Sequence, residues 1–208
     1  MTMAYLDAHY DPPAICELLE NVHGEVAFDI GANGGFLADI FAQHFAHVHA
    51  FEPCQESYEH LAVSHAPNVV AHLVAISDLD GTVDLLEATV TDTMGELVTG
   101  ESLPFAWGPT SGRRQVAAMT LDTAAEQYGI PDFVKIDTEG HEVPVIRGGL
   151  RTLLAHMPTL LIEVHAQANG PAILDLLPFY RWQRIDHPAY GPGSYGQNNH
   201  FYLVGKTA

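Results

Sequence analysis

Five side chains able to move a proton or hold a cation fall in two short stretches of this chain: Asp137, Glu139 and His141 in the first, Glu163 and His165 in the second. Carboxylates and imidazoles are common general bases, and a positioned base contributes about 10²- to 10⁴-fold to a rate. Glu163 and His165 are two residues apart, so a continuous strand presents them on one face. We expect His165 or Glu139 to take a proton from an acceptor, with Asp137 beside the reacting group. Other uses are open to Asp137: capping a helix that begins near Glu139, or holding an ammonium. A divalent metal on Asp137 and Glu163, joined by His165, is a secondary alternative; no ligand spacing enforces it and none is expected.

A second constellation suits backbone contact with a ligand. The segment Phe28-Asp29-Ile30-Gly31-Ala32-Asn33-Gly34-Gly35, followed by Phe36, stands where a first strand turns into a first helix. Glycines there permit positive φ and close approach, and the helix start offers amides and a partial positive end to an anion. A dinucleotide fingerprint needs glycines at 31, 33 and 36, but the chain has Gly31, Asn33 and Phe36, so the pyrophosphate loop is not matched. Glu52, followed by Pro53, lies twenty-one residues past Gly31 at the end of the second strand. A carboxylate there accepts two hydrogen bonds from a ribose diol and repels a 2′-phosphate. S-adenosylmethionine meets these constraints: its carboxylate can sit on loop amides, its ammonium needs acids or carbonyls, and its sulfonium favours an electron-rich pocket.

A sheet of parallel strands would bring such distant residues to one edge. Short β-rich runs alternate with helix-length segments throughout, the signature of βαβ units. Strands are expected at Val26 to Ile30, Val48 to Phe51, Val69 to Ile76, Phe133 to Ile136 and Leu160 to Val164. Helices are expected near Gly34 to Phe45, Gln55 to His65, Leu121 to Tyr128, and Glu139 to His156 with Gly148-Gly149 interrupting. Val83 to Leu86 pairs with Val116 to Met119 as a small hairpin. A short helix near Ala172 to Leu177 precedes Trp182 to Ile185 and Phe201 to Val204, a terminal antiparallel pair. The fold class is α/β, a three-layer sandwich with a mostly parallel central sheet. Residues 1–208 read as one domain, with a helical lead over 1–25 and a polar substrate-side loop over 88–114 that carries Met94, Phe105, Trp107, Arg113 and Arg114. Tyr190 to His200 offers a second wall, with Asn198, Asn199 and His200 as acceptor contacts.

Composition narrows the partners. Hydrophobic residues are 47% and charged residues 16% of the 208, enough for a packed core. The formal charge is −18, which argues against nucleic acid and anionic membrane surfaces. Lys135 and Lys206 are the only lysines and neither follows a glycine-rich loop, so a Walker-type phosphate site is excluded. Cys16 and Cys54 lack metal or disulfide spacing and read as small buried hydrophobes. With no apolar span and no leader pattern, a cytoplasmic location is expected.

The motifs in order, Asp29-Ile30-Gly31-Ala32-Asn33-Gly34-Gly35, Phe51-Glu52-Pro53, Ala75-Ile76-Ser77-Asp78, Thr120-Leu121-Asp122, Lys135-Ile136-Asp137-Thr138-Glu139-Gly140-His141-Glu142 and Leu161-Ile162-Glu163-Val164, resemble the FkbM-type methyltransferases. The resemblance covers roughly Val26 to His165. It implies a class I, Rossmann-like enzyme that moves a methyl group from S-adenosylmethionine to a hydroxyl on a sugar, glycan or other small molecule. It further implies that Asp29 and the loop from Gly31 through Ala32, Asn33, Gly34 and Gly35 to Phe36 hold the methionine part. Glu52 and Pro53 would serve the ribose, Ile76, Ser77 and Asp78 would border the adenine, and Asp137 would lie beside the transferred methyl. Two rivals remain: a nucleotide-dependent oxidoreductase, and a non-catalytic module that binds the same cofactor. Homo-oligomerisation stays open.

Overall fold

The computed structural model describes residues 13–63, 66–88, 95–98, 110–165, 168–186 and 201–206. The chain order is α1 (Pro13–Asn21), β1 (Gly24–Ile30), α2 (Phe36–Phe41), β2 (Phe45–Phe51), α3 (Gln55–Leu61), β3 (Val69–His72), β4 (Ala75–Ser77), β5 (Gly81–Ala88), β6 (Gly95–Val98) and β7 (Thr110–Thr120). It continues with α4 (Leu121–Tyr128), β8 (Phe133–Ile136), α5 (Glu142–Gly148), α6 (Leu150–His156), β9 (Thr159–Val164), α7 (Asn169–Leu176), β10 (Arg181–Asp186) and β11 (Phe201–Lys206).

Seven strands form the main sheet in the order β10-β11-β9-β8-β1-β2-β3. The run from β9 to β3 is parallel, and β11 inserts antiparallel between β9 and β10. β1 and β8 occupy the middle, buried on both faces, which is why Val26 to Ile30 and Phe133 to Ile136 read as unbroken apolar runs apart from Asp29 and Lys135. One face packs Val26, Phe28 and Ile30 with α4, α5, α6 and α7; the other packs Ala27, Phe133 and Leu161 with α1 and α2. The strand order reverses at β1, so the crevice beyond the carboxyl ends of β1, β2, β8 and β9 is where an open α/β sheet takes its ligand.

The structure departs from expectation in three places, besides the helix expected to reach Phe45, which ends at Phe41 so that Phe45 opens β2. Val69 to Ile76 is two strands, because the chain breaks at Leu73-Val74 and β4 leaves for a separate four-stranded sheet, β4-β7-β5-β6. That sheet has its own small core of Cys54, Ala75, Val83, Leu85, Val116 and Ala118, and Cys54 is buried as expected while Cys16's side chain lies outside the described residues. The expected loop over 88–114 is partly strand: β5 runs to Ala88, β6 pairs with it, and β7 begins at Thr110. Arg113 and Arg114 therefore lie on β7, where they meet Asp84 at 3.2 Å and Glu56 at 3.4 Å, while Met94, Phe105 and Trp107 fall outside the described residues. Thirdly, the helix expected from Glu139 starts at Glu142 and has His141 at its N-cap, so Asp137 does not cap it. The break at Gly148-Gly149 is present; a Cβ on Gly148 would stand 2.0 Å from the Ser77 carbonyl oxygen, so α5 lies directly against β4. Thr120 accepts the Thr123 amide at 3.0 Å and Asp122 accepts the Thr152 amide at 2.8 Å, which ties α4 to α6. Asn198, Asn199 and His200 lie outside the described residues, as do 1–12 of the helical lead.

Candidate active site

The glycine loop leaves β1 beside the strand that carries Asp137. Gly31 has φ +73°, and a Cβ there would sit 1.8 Å from the Asp137 carbonyl oxygen, so two loops pack backbone to backbone at this point. Gly31 and Ala32 both donate their amides to the Phe51 carbonyl, at 3.0 and 3.1 Å, and Gly35 donates to Ala32 at 2.9 Å. Asn33, itself at φ 49°, donates to Glu52 Oε2 at 2.8 Å. Four of the five amides from 31 to 35 thus serve the loop's own shape, which corrects the expectation that they stand open to an anion. What the loop presents outward is the exposed Asn33, Gly34 and Phe36.

Glu52 is buried at the end of β2, and its other oxygen accepts the Cys54 amide at 2.8 Å. Burial lifts its carboxyl to about 7, against the pull of those two amide bonds and of Lys135. Each carboxylate oxygen has a second lone pair, so the group can still accept from a ligand. Pro53 is half-buried beside it. Ile76 and Ser77 are buried, and Ser77 Oγ pairs with His141 Nε2 at 3.0 Å; only Asp78 of that trio is exposed. His141 is a buried strut between β4 and α5.

Charge enters the middle of the sheet as a pair. Asp29 and Lys135 are register partners on β1 and β8, and Lys135 Nζ lies 3.1 Å from Asp29 Oδ1, 3.4 Å from Asp137 Oδ2 and 2.7 Å from the Gly31 carbonyl it donates to. Burial opposes the lysine's charge, but the two aspartates outweigh it and hold the ammonium above its ordinary range. Asp29 is fully buried, so it acts on the glycine loop through Lys135.

His165, just past β9, gathers the acids. Its Nδ1 is 3.0 Å from Glu142 Oε1, and its Nε2 is 3.4 Å from Glu139, 3.6 Å from Asp137 and 3.7 Å from Glu163. Burial alone would lower this imidazole; the Glu142 bond and the surrounding acids raise it well above its ordinary value, which favours the protonated ring. Glu163 is pushed up to about 8 by burial and by Asp137. Glu139 sits at φ +50°, a left-handed geometry that costs a non-glycine residue about 1–2 kcal/mol. Asp137, Glu163 and His165 could also close on a cation, their ligand atoms lying within 4.8 Å of one another.

All five candidate proton-handling side chains are therefore near this edge, with His141 turned inward to Ser77. Sequence reasoning missed the roles of Lys135, Glu142 and Asn169. Opposite charges at the centre of two apolar strand runs were the available signal for Asp29 and Lys135. Asn169 carried none, since its value comes from a 2.6 Å approach to Glu142 that only folding creates.

The profile of the methyltransferase FkbM domain matches residues 29–184. This chain belongs to the FkbM methyltransferase family. Within that family's reach, it is 27% identical over 169 residues to the hexuronic acid methyltransferase AglP of Haloferax volcanii, covering 77% of this chain and 64% of that protein. Its fold is similar to that of the methyltransferase FkbM from Methylobacillus flagellatus KT, with TM-score 0.55 and 19% identity over 86% of this chain and 43% of that one. The precorrin-6y C5,15-methyltransferase of Geobacter metallireducens GS-15 superposes with TM-score 0.54 and 12% identity, over 94% of this chain and 86% of that one. The chain spans less than two thirds of the length of the first two. Among the described residues, no helix is long and apolar enough to cross a membrane.

Proposed function

We propose that this FkbM family chain is an S-adenosylmethionine-dependent O-methyltransferase acting on a hydroxyl of a sugar or glycan. The observation that carries the reading is the meeting of the glycine loop, Glu52 and the Asp137-Glu139-Glu163-His165 group on one carboxyl edge of the sheet, with Gly31 packed on the Asp137 backbone. The relative named as a hexuronic acid methyltransferase supports a sugar acceptor.

The residues fit the cofactor. A buried carboxylate at the end of β2 suits a ribose diol, and the exposed Asn33, Gly34 and Phe36 with Pro53 and Asp78 form the surfaces around it. Acidic side chains outnumber Lys135 and His165 in the crevice, which suits a sulfonium. Bound there, S-adenosylmethionine supplies an electrophilic methyl carbon. Glu139 takes the acceptor's proton in this reading, because the surrounding acids favour a protonated His165 and Glu163 is raised by burial and its neighbours. Asp137, held by Lys135, orients the reacting groups and helps exclude water. A divalent metal on Asp137, Glu163 and His165 is a second reading, since their ligand atoms lie within 4.8 Å of one another.

Titration calorimetry with S-adenosylmethionine, its demethylated product and NADH tests the assignment, followed by methyl release against a panel of sugars. Binding of the first two without NADH is expected. Glu139→Ala and His165→Ala should keep cofactor affinity while lowering turnover about a hundredfold. Losses below threefold in both remove the proton-transfer role, and NADH binding in place of S-adenosylmethionine removes the assignment. Turnover unchanged after exhaustive chelation removes the metal.

A further inference from the structure

The cluster around His165 is built from behind by groups that face no acceptor. Glu142 is fully buried in the first turn of α5 and spends both carboxylate oxygens inside the protein. Oε1 accepts the Gly140 amide at 2.8 Å and faces His165 Nδ1 at 3.0 Å; Oε2 accepts from Asn169 Nδ2 at 2.6 Å. The same Asn169 amide reaches the Gly140 carbonyl at 3.0 Å. Three segments are thereby tied at one point: the 139–140 turn with its two left-handed residues (Glu139 φ +50°, Gly140 φ +104°), the end of β9, and the first turn of α7.

We propose that Glu142 and Asn169 form a positioning clamp that fixes the ring of His165 and the left-handed turn presenting Glu139, so that turnover depends on two residues that never touch the acceptor. This rests on the methyl-transfer reading for its kinetic consequence but not for its geometry. The ring can meet Glu139, Asp137 and Glu163 with Nε2 only while Nδ1 is held from the opposite side, and Glu142 is the group that holds it. The groups facing the ring are Glu142 from α5, Asp137 and Glu139 from the loop after β8, and Glu163 from β9, with Lys135 of β8 behind Asp137. Removing the Glu142 charge takes away the 3.0 Å contact that holds Nδ1. Removing Asn169 leaves that charge in place and loosens the turn, so the two changes separate electrostatic from geometric support.

The test uses Glu142→Gln and Asn169→Ala with two readouts. Crystal structures of the variants need neither cofactor nor acceptor: the His165 ring should turn away from Glu139 in Glu142→Gln, and the 139–140 turn should shift in Asn169→Ala. Turnover should fall about tenfold or more in both, the scale of a misplaced reacting group, with cofactor affinity within twofold of wild type. An unmoved His165 ring in Glu142→Gln overturns the clamp, as does full turnover in Asn169→Ala. If Glu142→Gln does not fold, Asn169→Ala decides through its turnover and cofactor affinity. A wild-type protein that transfers no methyl group at all sinks the functional reading instead, while the position of the His165 ring still judges the clamp.

Discussion

Gly31 and Gly34 share one loop and should respond oppositely to a single methyl group. In Gly31→Ala the new Cβ starts 1.8 Å from the Asp137 carbonyl oxygen and must retreat past 3.0 Å, a displacement of 1.2 Å between two backbones that the β1 to β8 pairing holds together. Forcing alanine into φ +73° costs about 1–2 kcal/mol, and overpacking adds about 1–3 kcal/mol. The total, about 2–5 kcal/mol, corresponds to a melting temperature lower by about 5–15 °C for a chain of this size. Gly34→Ala meets nothing within 4 Å. Its melting temperature should move by less than about 2 °C, because the substitution strains no contact and slightly stiffens the unfolded chain. Scanning fluorimetry of the apo proteins reads the first effect. Calorimetry with S-adenosylmethionine reads the second: binding is lost in Gly31→Ala, and weakened in Gly34→Ala where the open space is the ligand's. Equal melting shifts in the two variants, or native stability and affinity in Gly31→Ala, would refute the reasoning that the loop's contact with Asp137 builds the crevice.

Glu52 gives a pH signature. Its folded value of about 7 lies above its ordinary 4.5, so the stability it contributes is complete below pH 4.5 and is lost as pH rises through 7, about 3 kcal/mol in all. Cofactor affinity should run the other way and climb through pH 7 as the carboxylate ionises; Glu52→Gln flattens both curves, and persistence of either slope in that variant would rule the residue out. His72 has the opposite sign on stability. Burial, then His49, lowers it to about 4, so its contribution is present above pH 6.5 and is lost as pH falls through 4. His72→Phe keeps the stacking against Phe51 and Tyr128 and should flatten the acid limb of a urea-stability profile. Lys135→Met strands Asp29 without its buried partner and should cost about 3–5 kcal/mol by urea unfolding, with part recovered in Asp29→Asn/Lys135→Met; a single-variant loss under about 1 kcal/mol would show that the pair is not structurally needed.

Alternating apolar runs and turn chemistry were enough to place the central strands, and α4 and β8 fall on the residues that periodicity picks out, Leu121–Tyr128 and Phe133–Ile136. Both segments are marked locally, by the Thr120 cap in one case and by a short apolar run in the other. The break of Val69 to Ile76 was not legible, because a strand that changes sheets keeps the same apolar pattern while its hydrogen-bond partners change. The glycine loop, Glu52 and the two acidic stretches announced a crevice through residue type and strand-end position. Their division of labour did not follow. His165 reads as a base from its type, and only the folded chain closes four acidic side chains around it and so favours its protonated form. Loop amides that look open in a string of glycines are consumed by the Phe51 carbonyl and Glu52 once β2 lies beside β1. The sequence by itself determined which residues stand at the carboxyl ends of strands, since strand length and the turns that end strands are local. Tertiary structure alone decided which of them are buried, paired or charged, since burial and distance set a titratable group's state and neither is written in the chain.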